Sequence, residues 1–184
     1  MTNYSNHLSN TVSKEEARRA VLDFLPEKVE KVISLPAESF VFEAKVKLKY
    51  PTAQIYAYEN ERIVYKRNIR NKYNLVKYLL NNYYNSDILK SELVDIDFAW
   101  LDLCSTPSVE KQAAFIAMAR NAKPKSRVVI TVTRKIRNMK KDNKPFATIE
   151  RFINLIHYLT NGKVVKQYNY VNHRSPMAML FIQF

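Results

Sequence analysis

The chain has 184 residues, 47% of them hydrophobic, a formal net charge of +13 and one cysteine, Cys104. That is enough chain for one full core, but no apolar run approaches the roughly 20 residues of a membrane span. A lone cysteine excludes an internal disulfide and a multi-cysteine zinc site, and His7, His157 and His173 are too scattered to suggest a metal site. The expectation is a cytoplasmic protein without metal or membrane whose basic excess suits a polyanion, nucleic acid first.

Residues 1–13 are polar, have no apolar signal core, and read as a frayed tail before a single domain over 14–184. Ser13 followed by Glu16 has the spacing of a capping box and predicts a helix over 14–25, ended by Pro26. Lys31 to Leu35 reads as a buried strand. Phe42, Val46 and Tyr50 recur at helical spacing, so 38–50 is predicted as a helix stopped by Pro51. Gln54 to Tyr58 is a second strand, followed at once by Glu59. This strand–helix–strand unit is the opening of a nucleotide-cofactor fold, and an acid ending its second strand can accept hydrogen bonds from a ribose diol.

Tyr73, Val76, Leu80 and Tyr83 lie on one helical stripe, which predicts a helix over 68–84. Segment 86–95 is ambiguous, with a short strand at 87–89 as one reading. Residues 97–103 (DFAWLDL) form a buried strand, Ser108 opens a helix to Asn121, and 127–133 (RVVITVT) is a β-branched strand. A helix over 145–160 closes at Asn161-Gly162. The chain ends in strands 163–171 and 177–184, an antiparallel hairpin through Asn172 to Pro176. Alternating strands and helices predict a Rossmann-like α/β fold, a doubly wound, mostly parallel sheet of about seven strands.

That order of elements, with its terminal hairpin, resembles a class I S-adenosylmethionine-dependent methyltransferase over residues 14–184. The glycine-rich turn of that family aligns with Ser34-Leu35-Pro36-Ala37-Glu38-Ser39, where no glycine remains; the only glycine in the chain is Gly162. Glycines there let the backbone approach the cofactor. The family's strand-two acid aligns with Glu59. Its central-strand loop aligns with Leu101-Asp102-Leu103-Cys104-Ser105-Thr106-Pro107. That loop loosely resembles the Asp-Pro-Phe-Gly-Ser-Pro stretch of tRNA guanine dimethyltransferases, and the Leu-Asp-x-Cys-Gly loop of some virus-type methyltransferases, with Ser105 in place of glycine. A virus-type member would work in the host cytoplasm.

The resemblance implies S-adenosylmethionine as cofactor, held by Leu35, Pro36, Ala37, Glu38, Ser39, Glu59, Asn60 and Asp102. Asp102, Ser105 and Pro107 would line the reaction pocket, with Asp102 orienting a substrate amino group or holding the cofactor's ammonium. Asp102 could equally cap the next helix, as Ser108 could, and Glu38 could simply favour its helix dipole. Cys104 lacks the Pro-Cys context of cytosine-methylating enzymes and reads as a buried, inert thiol. Arg62, Lys66, Arg67 and Arg70 follow strand two; Arg134, Lys135, Arg137, Lys140 and Lys141 follow strand five. Both runs start at the rim where nucleic-acid phosphates would lie, or else are solvated surface. Tyr65 and Tyr73 could stack on bases or belong to the core. Asp102 and Lys135 match the middle pair of the Lys-Asp-Lys-Glu set of ribose methyltransferases, but the final hairpin has no glutamate. The expected activity is methyl transfer to nucleic acid, at a base. The rivals are a non-catalytic nucleic-acid-binding protein of the same fold and a basic interaction scaffold.

Overall fold

A computed structural model of the chain describes residues 12–36, 40–91, 94–134, 148–172 and 175–184. The elements are α1 (Val12–Asp23), β1 (Lys31–Ser34), α2 (Val41–Lys49), β2 (Gln54–Tyr58), α3 (Arg62–Asn71), α4 (Tyr73–Leu79), β3 (Asn82–Tyr84), a 3₁₀ turn (Ile88–Lys90), β4 (Phe98–Ser105), α5 (Val109–Ala119), β5 (Arg127–Thr133), α6 (Ile149–Leu159), β6 (Lys163–Asn172) and β7 (Ser175–Gln183). The strands form one seven-stranded sheet in the order β3-β2-β1-β4-β5-β7-β6. All neighbours are parallel except β7, which runs antiparallel to both β5 and β6.

The sheet is covered on both sides. Along β4, Phe98 and Trp100 enter the core built with α1, α2 and α4, while Ala99 and Leu101 enter the one built with α5 and α6. A strand buried on both faces reads as a continuous apolar run, which is why 98–101 and 127–133 were legible. The Trp100 indole donates to Thr131 Oγ1 at 3.1 Å, satisfying the buried polar atoms of both. At the opposite edge of β4, the Asp97 carboxylate accepts from the N–H groups of Glu30 and Lys31 at 2.8 and 2.9 Å, tying the start of β1 to that of β4. Gly162 is a question of space: an added Cβ would meet Phe184 Cε1 at 2.7 Å.

Three local expectations are corrected. The helix over 68–84 is instead the end of α3, then α4, then β3. Leu80 turns extended, with φ −110° and ψ 137°, and Asn81 bonds Ile55 twice, through its backbone N–H and its side-chain oxygen, both at 2.9 Å. These bonds draw the chain beside β2, which helical spacing alone could not signal. The short strand at 87–89 is a 3₁₀ turn, capped by Asp87 Oδ1 accepting from Leu89 N at 3.0 Å. The helix expected over 14–25 begins earlier, at Val12, so Ser13 lies inside α1, and its hydroxyl donates to the Val171 carbonyl at 2.9 Å. Other bounds shift by a few residues, as helix and strand ends do. No described helix is long and apolar enough to cross a membrane.

Candidate functional site

In an open α/β sheet a ligand lies beyond the carboxyl ends of the strands. Ser34 is level with Ala57 on β2 and with Trp100 on β4. Two residues further along each strand come Pro36, Glu59 and Asp102, so the two acids flank the exit of β1. With strands about 4.8 Å apart, their backbones are separated by roughly 10 Å.

Glu59 is held rigidly. Its N–H donates to the Tyr84 carbonyl at 2.9 Å, and its own carbonyl accepts from Asn85 Nδ2 at 2.8 Å. The Glu61 N–H donates to Glu59 Oε1 at 2.8 Å, which orients the carboxylate. Burial pushes its pKa up, against these hydrogen bonds. The Tyr58 and Tyr84 rings, 4.8 Å apart, brace the end of β2 against β3. Asn60 beside it is exposed.

Asp102 is engaged rather than open. Lys14 Nζ of α1 stands 3.1 Å from Asp102 Oδ2, with the two side chains only 11% and 12% exposed. The Cys104 thiol donates to Asp102 Oδ1 at 3.0 Å. The Asp102 charge holds the Lys14 ammonium above its usual range, despite burial. Burial and the Asp102 charge together push the Cys104 thiol and the Tyr170 phenol up, so Cys104 remains a thiol, as the inert reading expects. Below this pair, Arg18 of α1 is 3% exposed and bonds Glu15 at 2.9 Å. Glu43 of α2 is 2% exposed; burial pushes its carboxyl up to about 7, with Ser34 and Arg18 opposing.

Two non-glycine residues in the left-handed region stand near the ends of β1 and β4. Phe40, with φ 51°, precedes α2; Cys104, with φ 47°, sits where β4 shifts register against β5. Such backbone costs about 1–3 kcal/mol per residue and persists where the surroundings impose it, often beside functional clefts. At Phe40 the imposing force is packing: the ring is fully buried and meets Tyr83 edge-on at 6.1 Å. The turn thus reaches a conformation favoured by glycine without one. Leu35 is half-buried and Pro36 buried; Ala37, Glu38 and Ser39 lie outside the described residues.

The loop after β4 is pinned by α5. Ser105 Oγ accepts from Lys111 Nζ at 2.5 Å, the buried Pro107 gives its carbonyl to Gln112 Nε2 at 2.7 Å, and Ser108 Oγ caps α5 by accepting from Lys111 N. Ser108, rather than Asp102, is therefore the cap. Arg62, Lys66, Arg67 and Arg70 are all exposed on α3, which begins three residues after Glu59. Arg134 is exposed at the end of β5, and Lys135, Arg137, Lys140 and Lys141 lie outside the described residues. Tyr65 packs on Tyr83 at 4.8 Å, whereas Tyr73 is 57% exposed and so is not core.

Sequence reasoning missed Lys14, Arg18, Glu43, Asn85, Lys111 and Tyr170. A signal existed for the first two: Lys14 and Arg18 share a helical stripe with Ala17 and Val21, the buried face of α1. Nothing local marks the others.

No protein-family model and no curated protein sequence matches this chain. Solved structures do. The N-methyltransferase NodS from Bradyrhizobium japonicum WM9 superposes with a TM-score of 0.66 at 11% identity, over 95% of this chain and 98% of that one; NodS is also known in complex with S-adenosyl-L-homocysteine. P. horikoshii TYW2 in complex with MeSAdo gives 0.60 at 16% identity, over 95% and 63% of the two chains. The [4+2]-cyclase SpnF gives 0.64 at 9% identity, over 92% and 80%. The chain therefore has the class I S-adenosylmethionine-dependent methyltransferase fold. Because a cyclase shares it, the reaction must be argued from the site.

Proposed function

We propose that this protein is an S-adenosylmethionine-dependent methyltransferase acting on nucleic acid, at a base. The observation that carries the reading is the placement of Glu59: an oriented carboxylate ends β2, and an exposed helix bearing Arg62, Lys66, Arg67 and Arg70 begins three residues later. The net charge of +13 agrees with a polyanionic substrate.

The residues at the ribose end fit the cofactor. Glu59 offers a fixed acceptor for a diol, and Tyr58 and Tyr84 supply aromatic surface beside it. At the other end the fit fails as the structure stands, because Lys14 already occupies the carboxylate of Asp102. When bound, the cofactor supplies an electrophilic methyl group on a sulfonium. The chain's part is positioning and exclusion of water: Ser105 and Pro107, fixed by α5, wall the pocket, and the basic face of α3 holds phosphate. Ala37, Glu38 and Ser39 would complete the cofactor turn, and Lys135, Arg137, Lys140 and Lys141 a second phosphate grip.

The occupied Asp102 favours one alternative, a nucleic-acid-binding protein of the same fold without catalysis. The two separate when the protein is incubated with methyl-labelled S-adenosylmethionine and total RNA or DNA, and the labelled nucleosides are resolved after digestion. Label on a base supports the proposal, and label on ribose moves the acceptor. Nucleic-acid binding with neither label nor cofactor binding establishes the alternative.

A further inference from the structure

The first turn of α1 is fastened by three polar contacts to three different elements. The Ser13 hydroxyl donates to Val171 O of β6 at 2.9 Å, Lys14 pairs with Asp102 at the end of β4, and Glu15 pairs with Lys45 of α2. Of these, only Lys14–Asp102 is almost wholly removed from solvent. A primary ammonium on a desolvated carboxylate, level with the exit of β1, is what an amino-acid-bearing nucleoside would itself place there.

We propose that Lys14 is an internal stand-in for the ammonium of the cofactor, so that the first turn of α1 and the amino-acid end of the cofactor compete for Asp102; this rests on the cofactor reading given above. One cation replaces another at the same carboxylate, so the incoming ammonium gains little and the nucleoside end dominates affinity. The contact is an autoinhibitory latch. Binding the whole cofactor requires Lys14 to leave Asp102, which loosens the first turn of α1. A ligand that lacks the amino-acid end leaves the latch closed.

The test compares S-adenosylhomocysteine, which carries the ammonium, with 5′-methylthioadenosine, which lacks it, by calorimetry on the wild type and on Lys14→Met. Methionine keeps the apolar stem and removes the charge, leaving Asp102 in need of a cation. The variant is expected to bind S-adenosylhomocysteine about tenfold more tightly and 5′-methylthioadenosine unchanged, and adding Asp102→Asn removes the gain. Unchanged or weakened S-adenosylhomocysteine binding with intact 5′-methylthioadenosine binding overturns the latch and leaves the cofactor reading standing. Folded protein that binds neither ligand overturns both. A second measurement needs no variant. Amine-reactive labelling of wild-type Lys14, read by mass spectrometry, should rise on saturation with S-adenosylhomocysteine and not with 5′-methylthioadenosine. Labelling that falls or stays level with both rejects the latch.

Discussion

Lys14 Nζ of α1 lies 3.1 Å from Asp102 Oδ2 of β4, and both side chains are nearly inaccessible. Desolvation of two charges offsets much of their attraction, so the intact pair adds little net stability, but breaking it strands a charge in a poor solvent. Asp102→Ala is therefore expected to cost about 3 kcal/mol. The double variant Lys14→Met/Asp102→Leu, which removes both charges and keeps apolar volume, should cost less than Asp102→Ala alone. Urea denaturation measures both, and additive losses would show that the residues do not act as a pair.

Glu43 is a buried acid whose folded pKa, about 7, exceeds its ordinary 4.5. Between those values the folded state binds more protons than the unfolded one. Stability from this group is thus greatest below pH 4.5, falls as pH rises towards 7, and is level beyond. Glu43→Gln should be more stable than wild type at pH 8, by up to about 3 kcal/mol, and lose that advantage towards pH 5. Thermal or urea unfolding across that range decides it; an advantage independent of pH would mean that Glu43 is charged throughout or paired.

Glu59 is the acceptor at the ribose end. Glu59→Ala should weaken binding of either nucleoside ligand by about tenfold or more, the value of hydrogen bonds to a charged acceptor. Glu59→Gln should fall between it and the wild type. Calorimetry with S-adenosylhomocysteine reads this directly, and an unchanged Kd would remove Glu59 from the site.

The exposed cations of α3 should grip phosphate without sequence preference. Arg62→Ala/Lys66→Ala/Arg70→Ala should weaken binding of a single-stranded oligonucleotide. The slope of log K against log salt should fall by about 2, near 0.7 per lost phosphate contact. Alanine retains the helix, so far-UV circular dichroism should not change. An unaltered slope would place the nucleic acid elsewhere.

Much of the fold could be read locally. The apolar run through Phe98 to Leu101, the β-branched run 127–133 and the acid at Glu59 were recognisable because burial on both faces, or exit from a strand, leaves its mark on consecutive residues. The third strand was not, because Tyr73, Val76, Leu80 and Tyr83 keep helical spacing while Asn81 is drawn to Ile55 by bonds to another strand. Nor did the missing glycines settle the turn after β1, since the burial of Phe40 imposes a left-handed backbone there.

The sequence by itself determined the alternation of strands and helices outside 62–90, the basic excess and the carboxylates at the strand ends, since each depends on composition or period within a short window. Only the tertiary structure decided the state of those carboxylates. Glu59 is oriented by Glu61 two residues on, but Asp102 is claimed by Lys14 from the far end of the chain. A charge pair of that separation exists only after α1 has packed on the sheet, where the loss of water makes each ion the other's necessary partner.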